Sequence, residues 1–133
     1  MISTAQSRTI LSAGEACGQA MGVPVSLVVL DAGTHLKAIS RMDSAPLGSI
    51  DIAIGKARTA VLLAMPSEAV WDYCRPGGVA PGLERSNGGL VTFGGGIPLT
   101  DAEGSLIGAV GVSGGTVTED LAIAQAAAAA LSA

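Results

Sequence analysis

The residues best suited to chemistry include an uninterrupted run of glycines. Gly94, Gly95 and Gly96 are consecutive, and Pro98 follows closely. Consecutive glycines let backbone N–H groups turn towards a ligand with no Cβ in the way, and such a nest suits a carboxylate or a phosphate. The same run also fits a tight turn or bulge at the start of a strand. We treat residues 94–96 and Pro98 as a candidate ligand-binding segment.

Two cations are candidates to converge on the glycine run. Lys56 projects from a largely apolar predicted helix, and Arg41 ends a predicted strand. An ammonium group on apolar surface needs a partner or an exit to water. A salt bridge, for instance with Asp31 or Asp43, is one interpretation of Lys56, and an anion-binding or catalytic lysine is the other. We rank Lys56 above Arg41 as a catalytic residue.

Glu84 and Ser113 complete the candidate set. Glu84 lies beside Arg85 in a Gly/Pro-rich stretch, residues 75–89, whose length is typical of a functional or mobile loop. Glu84 is either a solvated surface charge or, on a lid above Lys56, half of an acid/base pair for isomerisation, elimination or hydration of a small acid. Ser113 is a candidate hydroxyl donor to a ligand, since no G-x-S-x-G motif or paired histidine makes it a nucleophile.

Helices are predicted to position these residues. Ser3 with Gln6, and Thr116 with Glu119, have capping-box spacing and predict the starts of the first and last helices. A middle helix, closed by Pro66, carries apolar residues at intervals of three and four. A short helical piece follows Pro66, and residues 75–89 predict no regular element. The apolar stripes assigned to the middle and last helices are Ile50, Ile54, Ala57, Val61 and Ala64, and Leu121, Ala124, Ala128 and Leu131.

Two hairpins are predicted between the helices. Residues 25–30 and 35–41 flank an Asp-Ala-Gly turn, and residues 97–100 and 106–112 flank a similar turn at 101–104. Strands concentrated in hairpins favour one antiparallel sheet in an α+β fold over a parallel βαβ sheet. We expect the helices to cover one face of that sheet or both of its ends.

The composition limits the class of protein. The chain of 133 residues is 49% apolar and 14% charged, which predicts a single domain over residues 1–133 that buries a real core. Such sparse charge leaves apolar surface uncovered and predicts a homo-oligomer. A net charge of −4 without a basic run disfavours nucleic-acid binding. We see neither an export signal nor an apolar segment of membrane-spanning length, and we expect a cytoplasmic protein.

Few residues suit metal chemistry. Cys17 and Cys74 are far apart and have no metal-type spacing, so we interpret them as buried thiols, with a disulfide or a redox pair as alternatives. One histidine, His35, follows the first turn, where a solvated side chain is expected. These residues and the scattered carboxylates do not form a ligand set, and we predict no metal site.

Five segments stand in the order and spacing of the GlcG/HbpS family: VVLDAG at 28–33, RMDSA at 41–45, KARTA at 56–60, GGGIPL at 94–99 and GAVGVSGG at 108–115. The chain resembles this family over nearly its whole length, and it also resembles the C-terminal domain of PduO-type proteins. The resemblance implies a profilin-like or PAS-like antiparallel sheet flanked by helices. It also implies higher oligomers and, as the ligand, haem or another tetrapyrrole.

The haem expectation depends on a donor to the iron. His, Met, Cys or Tyr can serve, and haem-binding relatives draw this donor largely from the N-terminal helix. Here that helix has no histidine, and its soft donors are Cys17 and Met21.

Three functions remain open from the sequence. The first is a small-ligand-binding protein of the GlcG/HbpS type, for which the resemblance implies haem or another tetrapyrrole as the ligand. The second is a cofactor-free enzyme acting on a small carboxylate, with Lys56 as acid/base and Arg41 with the Gly94–Gly96 backbone holding the anion. The third is an accessory protein without chemistry of its own.

Overall fold

The computed structural model describes residues 1–132 as four helices and four strands joined by loops, of which residues 75–95 form the longest. The elements in chain order are α1 (Thr4–Met21), β1 (Ser26–Asp31), β2 (Leu36–Arg41), α2 (Ser49–Leu63), α3 (Ser67–Cys74), β3 (Gly96–Thr100), β4 (Leu106–Ser113) and α4 (Val117–Ala129). Short 3-10 turns cover Leu83–Gly88 and Ala130–Ser132.

The four strands form one antiparallel sheet in the order β2-β1-β4-β3. The two predicted hairpins are therefore confirmed, and they join through β1 and β4, where Val29 lies opposite Val110. The prediction of an α+β fold with a single antiparallel sheet is confirmed as well. β2 and β3 form the two opposite edges.

Helices cover both faces of the sheet. On one face, α1 and α4 pack on Leu27, Val29 and Val112. On the other face, α2 packs on Val28 and Leu30. The expectation that helices cover one face or both ends was wrong, because β1 is apolar on both sides and each side has to be buried.

Local signals place the helix ends. Ser3 Oγ accepts the N–H of Gln6 at 3.0 Å, and Gln6 Oε1 accepts the N–H of Ser3 at 2.8 Å. Thr116 and Glu119 form the equivalent capping box at the start of α4. Both predicted boxes are confirmed, and each satisfies N–H groups that the first turn of a helix leaves free.

The buried stripe of α4 differs from the prediction. The structure buries Asp120, Ile123, Ala124 and Ala127, so Ala124 alone of the predicted residues is fully buried. From residue 121 onwards nearly every position of this alanine-rich helix is apolar, so periodicity could not choose the face. Short 3-10 turns also occur within Leu83–Gly88, where no regular element was predicted, and non-helical backbone at Ser86 and Asn87 interrupts them.

Two further findings concern the described residues. Cys17 and Cys74 are both free thiols, Cys74 buried and Cys17 half-buried. Within residues 1–132, no helix combines the length and apolar character that crossing a membrane requires.

Candidate functional site

Lys56 lies in the core under the glycine run. Its side chain is fully buried, and its Nζ donates to Val112 O at 2.8 Å and to Asp120 Oδ2 at 3.0 Å. The Phe93 ring centroid is 5.1 Å from the same Nζ. Burial lowers the pKa of Lys56 below 10.5, while the hydrogen bond and charge of Asp120 oppose that change. The salt-bridge partner is therefore Asp120 and not Asp31 or Asp43.

Asp120 ties three elements together. Its Oδ2 accepts from Lys56 on α2, and its Oδ1 accepts the N–H of Gly115 at 2.8 Å, just after β4. The sequence carries a signal for this role, since Asp120 lies three, four and seven residues before the buried Ile123, Ala124 and Ala127. A carboxylate on the buried face of a helix requires a partner, and Lys56 supplies it.

The glycine run serves a close approach between β3 and α2. A Cβ on Gly95 would lie 2.5 Å from Val112 O and 2.9 Å from Lys56 Nζ, and Gly95 has a φ of +130°. A Cβ on Gly96 would collide with the backbone carbonyl of Lys56. The N–H of Gly96 donates to Ser67 Oγ at 2.9 Å. These contacts are those expected if the glycine run serves a tight turn. Among the three glycines, Gly94 lines a cleft.

Arg41, Pro98 and Ser113 make no hydrogen bond to the Lys56 ammonium, whose partners are Val112 and Asp120. Arg41 belongs to β2, the edge of the sheet opposite β3, and lines a cleft with Glu15 and Gln19. Ser113 lines a different cleft, beside Ser49. Pro98 lies within β3, opposite Ala109 of β4.

Glu84 lines a third cleft, so the structure does not bring it together with Lys56. Arg41, Lys56 and Glu84 do not converge on one site in this arrangement. The acid/base role of Lys56 stays a prediction. The Lys56 side chain is enclosed in the core and is already paired with Asp120.

Sequence reasoning missed an open groove beside α3. This aromatic groove has a volume of about 370 Å³ and a mostly apolar wall. Trp71, Phe93 and Val117 remain 46%, 43% and 49% exposed there. The spacing of α3 gave no signal for this exposure, because Trp71 lies four residues after the buried Ser67 and three before the buried Cys74, on the side that helical periodicity predicts to be buried. The groove is lined by Glu68, Trp71, Thr92, Phe93, Gly94 and Val117.

A second cleft shares Trp71 with the aromatic groove. This arginine cleft, of about 590 Å³, carries Arg75, Arg85 and Glu84 on its wall, together with Cys74. Burial and, after it, the neighbouring Glu84 raise the pKa of the Cys74 thiol above 9.0. The cleft thus combines two guanidinium groups with a thiol that stays protonated at neutral pH.

The soft donors of α1 lie together. The thiol of Cys17 donates to Met21 Sδ with an Sγ–Sδ distance of 3.7 Å, one helical turn apart. Met21 is exposed at the end of the helix. The single histidine, His35, has an 82% exposed side chain next to Asp31. Residues 1–132 contain no cluster of three or more His, Cys, Asp or Glu arranged to hold a metal ion.

Comparison with known proteins assigns the family. The model of the family described as "Haem degrading protein HbpS-like" matches residues 2–129. The chain belongs to the HbpS-like family. It is 39% identical, over 95% of its length and 89% of the relative's, to an uncharacterised 15.0 kDa protein from the dhaT-dhaS intergenic region of Citrobacter freundii.

Members of this family also share the fold. A crystal structure of a PduOC–haem complex superposes with a TM-score of 0.92 at 38% identity, covering 97% of this chain and 94% of that one. A crystal structure of HbpS superposes with a TM-score of 0.88 at 27% identity, covering 96% and 88%. The chain is 41% identical to the corrinoid adenosyltransferase PduO of Salmonella typhimurium over 85% of its length, but spans only 34% of that protein.

Proposed function

We propose that this HbpS-like protein is a small-ligand-binding protein whose ligand is haem or a closely related tetrapyrrole. Its family membership and its similarity to a protein crystallised with haem support this ligand class. The observation on this chain that carries the proposal is the sulfur pair Cys17 and Met21 on α1, the helix in which the family resemblance implies a donor to the iron.

The sulfur pair fits the needs of haem iron. Cysteine and methionine sulfurs are both established axial ligands. Their separation of 3.7 Å places both on one side of α1, so that either sulfur can bind the iron while the other lies beside it. Haem would supply a redox-active iron at the protein surface, and the chain's part is to hold it through sulfur.

A homo-oligomer belongs to the same proposal. An open helix leaves one side of a flat macrocycle in water, and a second copy of the chain would cover that side. The low charge content and exposed apolar side chains such as Met21 and Leu47 favour such association. Size-exclusion chromatography with light scattering, with and without hemin, gives the oligomeric state, and a monomer under both conditions would contradict this part.

Hemin titration tests the ligand and its donors. Hemin added to the purified protein is expected to give a saturable shift of the Soret band at one haem per chain or per pair of chains. Cys17→Ser/Met21→Leu is expected to weaken binding about tenfold or more, because it removes both sulfurs. Cys74→Ser is the matched control for a thiol elsewhere, and His35→Ala tests the histidine. Binding that survives the double substitution unchanged would overturn the proposal.

A further inference from the structure

The aromatic groove and the arginine cleft are separate from the sulfur pair of α1. They meet at Trp71, which lines both. Apart from Tyr73, the aromatic side chains of this chain are Trp71 and Phe93, and both lie in the groove. Ring faces that remain nearly half exposed are suited to a flat apolar ligand.

The groove is held in a fixed shape from below. Ser67 Oγ donates to the carbonyl of Phe93 at 2.6 Å, and the Lys56 ammonium lies 5.1 Å from the centre of the Phe93 ring. The buried pair of Lys56 with Asp120 therefore supports one wall of the groove. A wall fixed before binding lowers the entropy cost of holding a ligand.

Each of the two clefts contains a buried carboxylate oxygen that lacks a partner. Glu68 Oε2 at the groove and Glu84 Oε2 at the cleft are enclosed and accept no hydrogen bond from residues 1–132. A buried acceptor without a donor is unfavourable, and it is satisfied when water or a ligand donates to it. Because Glu68 also lines the groove, a turn of its side chain that brings this oxygen to the groove surface favours a ligand with an O–H or N–H group.

The arginine cleft favours a negatively charged group of the ligand, whereas the Glu68 carboxylate favours a hydrogen-bond donor. Neither Arg75 nor Arg85 takes part in a salt bridge among the described residues, and both side chains are exposed. A guanidinium group binds a carboxylate through two parallel hydrogen bonds. With one glutamate against two arginines, the wall of this cleft favours an anion.

We propose that these two clefts form a single binding site for a small aromatic carboxylate that carries a hydroxyl group. The ring lies against Trp71 and Phe93, the hydroxyl donates to Glu68, and the carboxylate binds Arg75 or Arg85. This site is independent of the haem proposal, since it shares no residue with Cys17 and Met21.

Trp71 provides a direct readout because it is the chain's single tryptophan. Titration of the protein with 4-hydroxybenzoate is expected to change the Trp71 fluorescence saturably. Phenol, which lacks the carboxylate, and benzoate, which lacks the hydroxyl, are expected to bind about tenfold more weakly, each having lost a charge-assisted hydrogen bond.

Variants locate the two ends of the ligand. Arg75→Gln/Arg85→Gln is expected to weaken 4-hydroxybenzoate about tenfold or more and to leave phenol unchanged. Glu68→Gln is expected to reduce the advantage of 4-hydroxybenzoate over benzoate. Arg8→Gln, an exposed arginine on α1, is the matched control and should bind as the wild type does. Absence of a saturable fluorescence change at millimolar 4-hydroxybenzoate, or equal binding in the double arginine variant, would overturn the proposal.

Discussion

Two regions of this molecule contain the residues that attract attention, and they differ in whether their polar groups are satisfied. In the Lys56 region, the ammonium, the Asp120 carboxylate and the Gly96 amide all have partners inside the core. In the region around Trp71, large apolar side chains are exposed, and two carboxylate oxygens lack donors. The groups of the first region are satisfied inside the core, and the second region is the one to which we assign an aromatic carboxylate ligand.

The difference shows why residue type alone does not distinguish a buried group that already has its partners from an exposed group that is free to bind a ligand. A lysine on an apolar helix and a triple glycine have the chemistry of a site, yet here they provide an internal tie and the clearance for it. Removing a satisfied group should change stability, whereas removing an exposed one should change binding. The predictions below test this difference.

The largest expected effect is on the Lys56–Asp120 pair. Lys56→Met leaves the Asp120 carboxylate buried without its partner, and we expect it to lower the free energy of unfolding by about 3–5 kcal/mol. Lys56→Met/Asp120→Asn removes both charges and keeps an acceptor for the Gly115 N–H, so most of that loss should be recovered. Urea denaturation measures both values. Equal stability of Lys56→Met and the wild type would contradict the account of this region.

The second-largest expected effect is the loss of stability on substitution of Gly95. Gly95→Ala places a methyl group against Val112 O and Lys56 Nζ at a φ of +130°, and we expect a loss of about 2–4 kcal/mol. Gly48→Ala is the matched control, because Gly48 has free space and an ordinary φ of −70°. Thermal unfolding of the two variants gives the comparison. A Gly95→Ala protein as stable as Gly48→Ala would show that the close approach is absent.

The smallest expected effect is a difference in alkylation rate between the thiols of Cys17 and Cys74. The raised pKa of Cys74 leaves less thiolate at pH 8, and its burial hinders access, so we expect iodoacetamide to label Cys74 several-fold more slowly than Cys17. The variants Cys17→Ser and Cys74→Ser isolate each rate. Because Glu84 also raises the Cys74 pKa, Glu84→Gln in the Cys17→Ser background should accelerate labelling. Faster labelling of Cys74 than of Cys17 would contradict the enclosed environment.

Sequence patterns were sufficient for the fold where signals were local. The capping boxes at Ser3 and Thr116 and the two hairpin turns involve residues close along the chain, and each was predicted. The face of α4 was not, because alanines occupy both of its sides. Coverage of both sheet faces was also missed, since it depends on the apolar character of both sides of β1.

The site required long-range information. Lys56 and Asp120 are 64 residues apart, and their pairing depends on β4 lying beside β3 with α2 on one face of the sheet and α4 on the other. Arg41 was grouped with Lys56, although the strand order places it at the opposite edge of the sheet. The exposed position of Trp71 does not follow from the spacing of α3, and its neighbours Phe93 and Val117 come from distant parts of the chain.

One measurement tests most directly whether the ligand binds at the surface or in the Lys56 region. The Soret shift on hemin addition is compared between Lys56→Met/Asp120→Asn, which retains the sulfur pair, and Cys17→Ser/Met21→Leu, which retains the buried pair. We predict binding close to that of the wild type in the first variant and a loss of about tenfold or more in the second. Loss of hemin binding in the first variant, with a folded protein and intact binding in the second, would contradict the account.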